Sequence, residues 1–93
     1  MNLTEQGIKD IKNAPKRFEE AIQTINKMGG KMTAFFTTMG KYDYVAIGEA
    51  PNDEVAMTFL LGLAAQGNVR TTTLKAFSKD ELAKFVSKLP SNK

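Results

Sequence analysis

Two hydrophobic spacings alternate along the chain, one typical of helices and one typical of strands. Apolar residues recur at three- and four-residue steps over 18–28, 55–64 and 82–89, which predicts three helices that each bury one side. Between the first two stripes, 31–38 and 43–50 follow the two-residue period of strands. In the first of these runs, Met32, Ala34 and Phe36 are predicted to share one face of the strand.

Capping residues and helix breakers predict where these elements end. Thr4 is placed to cap a short opening helix that runs to about Lys12, and Pro15 suits the first turn of the next one. A Ser78-Lys79-Asp80-Glu81 capping box starts the last helix, which stops before Pro90. The predicted helices therefore span 5–12, 15–28, 53–66 and 79–89, and residues 91–93 are expected to fray.

The order of elements predicts an α+β fold. Gly40 and Lys41 form a short turn between two strands, which makes them an antiparallel hairpin, and the threonine-rich run 69–77 is predicted as a further strand. With a strand before the first helix, the order becomes that of the ferredoxin-like fold, an antiparallel sheet with helices on one face. Only residues 1–3 are available for that strand. It is therefore short or missing, the natural chain starts upstream, or a neighbour supplies the pairing.

The length and composition indicate one globular domain over residues 1–93. The chain is 42% hydrophobic and 25% charged, as in ordinary globular domains. A chain of this size buries only about 60–65% of its extended surface, so covering more of that surface with a second subunit is expected to stabilise it. No apolar run reaches the roughly 18 residues of a membrane span. We therefore expect a soluble, cytoplasmic homo-oligomer with no membrane partner.

Charge and the missing residue types narrow the chemistry. The net charge is +3, and the basic residues are interleaved with acids, which argues against nucleic acid as a partner and favours mild attraction to small anions. The chain has no histidine and no cysteine, which removes most zinc sites and the Ser-His and Cys-His nucleophile pairs. Neither a metal site nor a cofactor is predicted.

The densest group of chemically capable residues surrounds the hairpin turn. Tyr42 and Tyr44 can hydrogen-bond a ligand, but tyrosines also suit buried interfaces. Asp43 can act as a base or hold the turn by accepting backbone N–H bonds. Arg70 can bind a carboxylate or phosphate, or pair with Asp43 or Glu49. Each residue therefore has a structural reading beside the functional one.

Three runs of residues give the chain a resemblance to the GYD domain family, small proteins named for a Gly-x-Tyr-Asp turn. The residues that carry it are Gly40, Tyr42 and Asp43 at the turn, Thr4, Gln6, Gly7, Ile8, Ile11, Lys12, Pro15 and Arg17 in the opening helices, and Gly67, Asn68, Val69, Arg70, Thr71, Thr73, Leu74, Ala76 and Phe77 towards the end. The resemblance implies a dimeric α/β-barrel in which the sheets of two subunits face each other. It implies no particular activity.

These observations lead to a hypothesis for the binding surface. We expect the Val45 phase of its strand to face the helices and the phase of Tyr42 and Tyr44 to face a second subunit, joined by Thr71 and Thr73; a one-residue slip would reverse this. The predicted ligand-binding residues are Tyr42, Asp43, Tyr44, Arg70, Thr71 and Thr73.

The predicted function is the binding of a small anionic molecule in an intersubunit pocket lined by the sheet. One alternative is a small-molecule enzyme of the oxygenase or isomerase kind, with Asp43 or Glu49 as base and Tyr42 as acid. The other is single-stranded RNA binding through rings at positions 42 and 44, whose spacing resembles an RNA-recognition motif.

Overall fold

The computed structural model describes residues 1–91 of the chain; the fraying predicted for residues 92 and 93 lies outside this range. The fold is α+β and compatible with the ferredoxin-like fold, as predicted. Its strands and α-helices are β1 (Asn2–Leu3), α1 (Glu5–Lys9), α2 (Ala14–Lys27), β2 (Lys31–Thr37), β3 (Tyr44–Glu49), α3 (Asp53–Gln66), β4 (Val69–Arg70) and α4 (Lys79–Ser87).

Two antiparallel strand pairs make up the sheet structure. β1 pairs with β4, and β2 pairs with β3. Met1 joins the pairs, because its main-chain nitrogen donates to the Tyr44 carbonyl at 2.9 Å while the Tyr44 N–H donates to the Met1 carbonyl at 3.1 Å. The strand order is therefore β4, β1, β3, β2, and the prediction of a short first strand is confirmed.

The opening helix is shorter than predicted. Its cap is Thr4, whose hydroxyl accepts from the Gly7 N–H at 3.1 Å, as expected. The α-helix ends at Lys9, because Asp10 leaves helical backbone geometry, and a 3-10 turn follows over Ile11–Asn13. Arg17 fixes this break by donating to both the main-chain carbonyl and the carboxylate of Asp10, at 2.8 and 2.7 Å.

An aromatic trio forms the contact between α2 and the sheet. The ring centroid of Phe18 lies 4.7 Å from that of Phe35 and 4.7 Å from that of Tyr44. Only 6% of Tyr44 is exposed. The side of β3 that carries Tyr44 therefore faces the helices. The expectation that the Val45 side does so is wrong, because the strand is shifted by one residue from the assumed phase.

A β-bulge sets the register of the hairpin. Ala34 pairs with Ile47, but Met32 pairs with Gly48, so Thr33 is the extra residue. The Thr33 hydroxyl holds the distortion by donating to the Ile47 carbonyl at 2.9 Å. Because of the bulge, Met32 lies on the helix side with Tyr44, and the prediction that it shares a face with Ala34 and Phe36 is wrong.

The predicted strand over residues 69–77 is mostly absent. β4 contains only Val69 and Arg70, which pair with the two residues of β1. Residues 71–78 have no regular structure, since a strand lasts only as long as a neighbour pairs with it. We call residues 71–89, which contain this segment and α4, the C-terminal arm. No helix within residues 1–91 has the length and apolarity to cross a membrane.

Candidate functional site

The side of the hairpin away from α2 presents apolar side chains to solvent. Phe36 and Val45 lie opposite each other on β2 and β3, and Ile47 follows on the same side of β3. The exposed fractions of these three residues are 59%, 42% and 57%. We call them the open sheet face. Isolated exposed apolar residues are common, but three neighbouring ones on paired strands indicate an interaction surface for a protein or a ligand.

Arg70 lies on the same side of the sheet as the open sheet face. Val69, its neighbour in β4, is 6% exposed and points towards the helices with Tyr44, so the following side chain points the other way. Arg70 is exposed, and no carboxylate within residues 1–91 forms an ion pair with it. The predicted pairing with Asp43 or Glu49 does not occur in this part of the chain, and the guanidinium is available to an anion.

The remaining predicted site residues are divided between different surroundings. Tyr44 is buried on the helix side, whereas Tyr42 is 37% exposed in the hairpin loop, with Lys41 Nζ 5.7 Å from its ring centroid. Thr71 is half-buried and Thr73 is exposed, both in the C-terminal arm. This arrangement does not fit RNA binding through the two tyrosine rings, since the ring of Tyr44 is covered by Phe18 and Phe35.

Asp43 joins the N-terminal segment to the hairpin. Its carboxylate accepts from the Leu3 N–H at 2.9 Å, and its own N–H donates to the Asn2 side chain at 3.0 Å. The sequence indicated that this carboxylate could accept backbone N–H bonds, and it does so from β1 rather than from the turn. The contact gives Asp43 a structural role beside the proposed functional one.

A depression in the described surface lies on the helix side of the sheet. It is open, has a volume of about 350 Å³ and lies between α2 and β2, where Pro15, Phe18, Glu19, Thr37 and Tyr44 contribute to its wall. Glu19 is its charged residue and is acidic, which disfavours an anion there. Within residues 1–91, no group of three or more acidic side chains lies close enough together to hold a metal ion.

A close contact that sequence analysis did not single out holds the opening segment to the loop after α3. Thr4 donates its N–H to the Asn68 carbonyl at 3.0 Å and its hydroxyl to the Gly67 carbonyl at 2.5 Å. Gln6 donates to the Gln66 carbonyl and the Asn68 side chain. Gly7 is buried against this loop. Thr4 was predicted as a helix cap, but nothing in the sequence indicated its contact with this loop, and Gly7 was named only as a match to a family pattern.

Comparison with known proteins gives a family and one relative. The model of the GYD domain matches residues 1–86. The chain is 31% identical over 81 residues to a protein of Thermus thermophilus described as "Glutamine synthetase and cystathionine beta-lyase binding protein". The alignment covers 86% of this chain and 85% of the relative. No solved structure matches the sequence.

Proposed function

Since this chain belongs to the GYD domain family, we propose that it is an oligomeric binding protein that holds a small anionic molecule on the sheet, between subunits. The open sheet face is the surface that meets the second subunit, and Arg70 is the residue that binds the anion. The observation that carries the proposal is an exposed guanidinium, without an ion-pair partner among residues 1–91, on the same side of the sheet as an apolar patch.

The apolar patch supports the subunit contact. Phe36, Val45 and Ile47 are each at least 42% exposed in the single chain, although residues of this type gain roughly 1.5–3 kcal/mol when fully buried. The charged residues of the two strands do not interrupt this patch. They are Lys31 and Glu49, which lie opposite each other at the end of the hairpin away from the turn. A second subunit that covers the patch would also exclude water from the neighbourhood of Arg70, which strengthens its attraction for an anion.

Arg70 determines the class of ligand. A guanidinium has a planar arrangement of donors that matches the two oxygens of a carboxylate or phosphate. Asn2 is its partner across the β1–β4 pair; the Asn2 side-chain oxygen accepts from the Asp43 N–H, and its NH2 group can donate to an anion. These groups favour small carboxylates and phosphate esters over neutral molecules.

Replacement of Arg70 by alanine should abolish ligand binding and leave assembly intact. A thermal-shift titration with inorganic phosphate and a panel of small carboxylates and phosphate esters measures the first effect, and light scattering the second. Arg70→Lys keeps the charge but not the planar donors, so we expect weakened rather than lost binding. Lys41→Ala removes one positive charge from the hairpin tip and is the matched control. Equal losses in Arg70→Ala and Lys41→Ala would contradict a specific site, and loss of assembly in Arg70→Ala would make the residue structural.

A second candidate function is suggested by the relative from Thermus thermophilus, whose description says that it binds two enzymes. In this chain, the open sheet face is suited to a protein partner, because it is apolar and lies on paired strands. Under this reading, the partner enzyme covers the surface that we otherwise assign to the second subunit.

Purified glutamine synthetase and cystathionine beta-lyase are the probes for this second candidate. If it holds, titration calorimetry should show binding of the unmodified chain to one of them, lost in Ile47→Asp because a buried unpaired charge is costly. Gln23→Asp changes the charge equally at an exposed position of α2 and should bind normally. Unchanged binding by Ile47→Asp would exclude the open sheet face as the docking surface, and no binding of either enzyme would contradict the second candidate.

A further inference from the structure

The C-terminal arm leaves the body of the molecule with its apolar residues uncovered. Leu74 is 86% exposed, Leu82 is 58%, Val86 is 55% and Leu89 is 68%. Its ion pair to the body, between Lys75 Nζ and an Asp53 carboxylate oxygen at 2.9 Å, is between two exposed side chains. Such an exposed pair contributes little to stability. The arm therefore carries a hydrophobic stripe that the single chain does not bury.

α4 is well capped but too short to be stable without packing. The Ser78 hydroxyl accepts from the Glu81 N–H at 3.1 Å, and the Glu81 carboxylate accepts from the Ser78 N–H at 3.1 Å. These hydrogen bonds favour the ionised carboxylate and lower the pKa of Glu81 below its usual value. However, α4 has 9 residues, and helices shorter than about 12–15 residues are marginal in water. A helix of this length needs a surface against its apolar side.

The size of the molecule shows how much surface is left over. The Cα radius of gyration is 16.4 Å, whereas a compact domain of this length has about 12 Å. The accessible surface is 7491 Å², compared with roughly 5,300 Å² for a compact monomer of 10.2 kDa. The excess of about 2,200 Å² per chain amounts to roughly 4,400 Å² for two chains, which is in the range of total surface that obligate homodimers bury. A second copy of the chain can therefore account for the uncovered surface.

We propose that the C-terminal arm of one copy covers the open sheet face of a second copy, and the reverse. This rests on the proposed function, because it names what the second subunit contributes at the same surface. Each copy has one arm and one open sheet face, so a two-fold axis satisfies both, as in other exchanged dimers. Arg70 is the last residue before the arm, which places the proposed anion site at the edge of this interface.

Crosslinking tests the exchange directly, because the chain has no native cysteine. We mix one copy that carries Ile47→Cys with another that carries Val86→Cys and add a short bismaleimide linker. The expected main product is the mixed dimer, whose bond can form only between chains. The double variant, Ile47→Cys with Val86→Cys in one chain, shows whether the arm folds back on its own sheet. Mainly intrachain crosslinks in this double variant, with none in the mixture, would overturn the proposal.

The products separate this inference from the proposed function. If Ile47→Cys crosslinks mainly to itself, two sheets face each other without the arms: the arm exchange is overturned, and assembly through the open sheet face stands. If the unmodified chain is a monomer by light scattering at tens of micromolar, both proposals fail.

A surface charge in the arm gives a second, independent measurement. Leu82→Asp places a carboxylate on the apolar stripe of α4, and we expect the mass by light scattering to fall to half. Ser87→Asp adds the same charge at the end of the same helix, away from the stripe, and should leave the mass unchanged. Leu82 is 58% exposed in the single chain, so this change should leave the folded body intact, which far-UV circular dichroism checks. A Leu82→Asp variant that keeps the dimer mass would overturn the exchange.

Discussion

Replacement of Gly7 by alanine should destabilise the protein by about 3 kcal/mol or more, at the upper end of the usual range for overpacking. A Cβ atom at this position would lie 2.1 Å from the Asn68 carbonyl oxygen, which is backbone and cannot move aside alone. The loop that carries Asn68 is also held by Thr4 and Gln6, so relief of the clash would disturb those hydrogen bonds. Because small domains are stable by only about 5–15 kcal/mol, this loss is large.

Urea unfolding measures the effect, and Gly62 provides the matched control. A Cβ atom on Gly62, inside α3, meets no atom within 4 Å, apart from the helix's own nearby backbone. Gly62→Ala should therefore stabilise the protein by roughly 0.5–1 kcal/mol through helix propensity alone. Gly7 is also helical, so propensity favours alanine there as well. A Gly7→Ala variant as stable as the unmodified protein would show that the close contact with the loop is not tight in solution.

Replacement of Tyr44 by alanine should cost about 3–5 kcal/mol, as for other buried aromatic residues. The ring packs against Phe18 and Phe35, at centroid distances of 4.7 and 5.6 Å, and its removal leaves a cavity between α2 and the sheet. Tyr42, which is 37% exposed, is the control, and its alanine variant should lose far less. The free energies of unfolding in urea give the comparison. Similar losses for the two variants would mean that Tyr44 is not part of the core.

The sequence predicted the elements well but not which face of the sheet is covered. Both faces of β3 are apolar, with Tyr44 and Ala46 on one and Val45 and Ile47 on the other. The alternation of residues along the strand therefore does not show which face is exposed to solvent. The choice depends on tertiary packing, since Phe18 of α2 packs against Tyr44 of β3 and Phe35 of β2. A bulge at Thr33 adds a shift that periodicity cannot detect.

The missing length of β4 has a different cause. Thr71, Thr72 and Thr73 have high strand propensity, and the segment was predicted as strand for that reason. A strand, unlike a helix, takes its hydrogen bonds from a neighbour, and β1 offers only Asn2 and Leu3. The local sequence of residues 69–77 therefore favours a strand, but the length of β4 is limited by the length of its partner β1.

The sequence could name candidate site residues but not the direction in which each side chain points. Arg70 is a candidate because a guanidinium can bind a carboxylate or phosphate, and the structure leaves it exposed. Tyr44 was grouped with it, but the two lie on opposite sides of the sheet, since residue type alone does not reveal direction. The contact of Gly7 with Asn68 could not be predicted from local sequence, because the two residues are 61 positions apart.

The aromatic trio also gives the molecule a built-in optical signal. The chain contains no tryptophan and two tyrosines, so its near-ultraviolet absorption and emission come mainly from Tyr42 and Tyr44. One of these rings is half-covered at a loop, and the other is enclosed by two phenylalanines at the contact between α2 and the sheet. The buried ring has the more asymmetric and less hydrated surroundings. Spectral changes at this wavelength thus follow the docking of one helix, without any label.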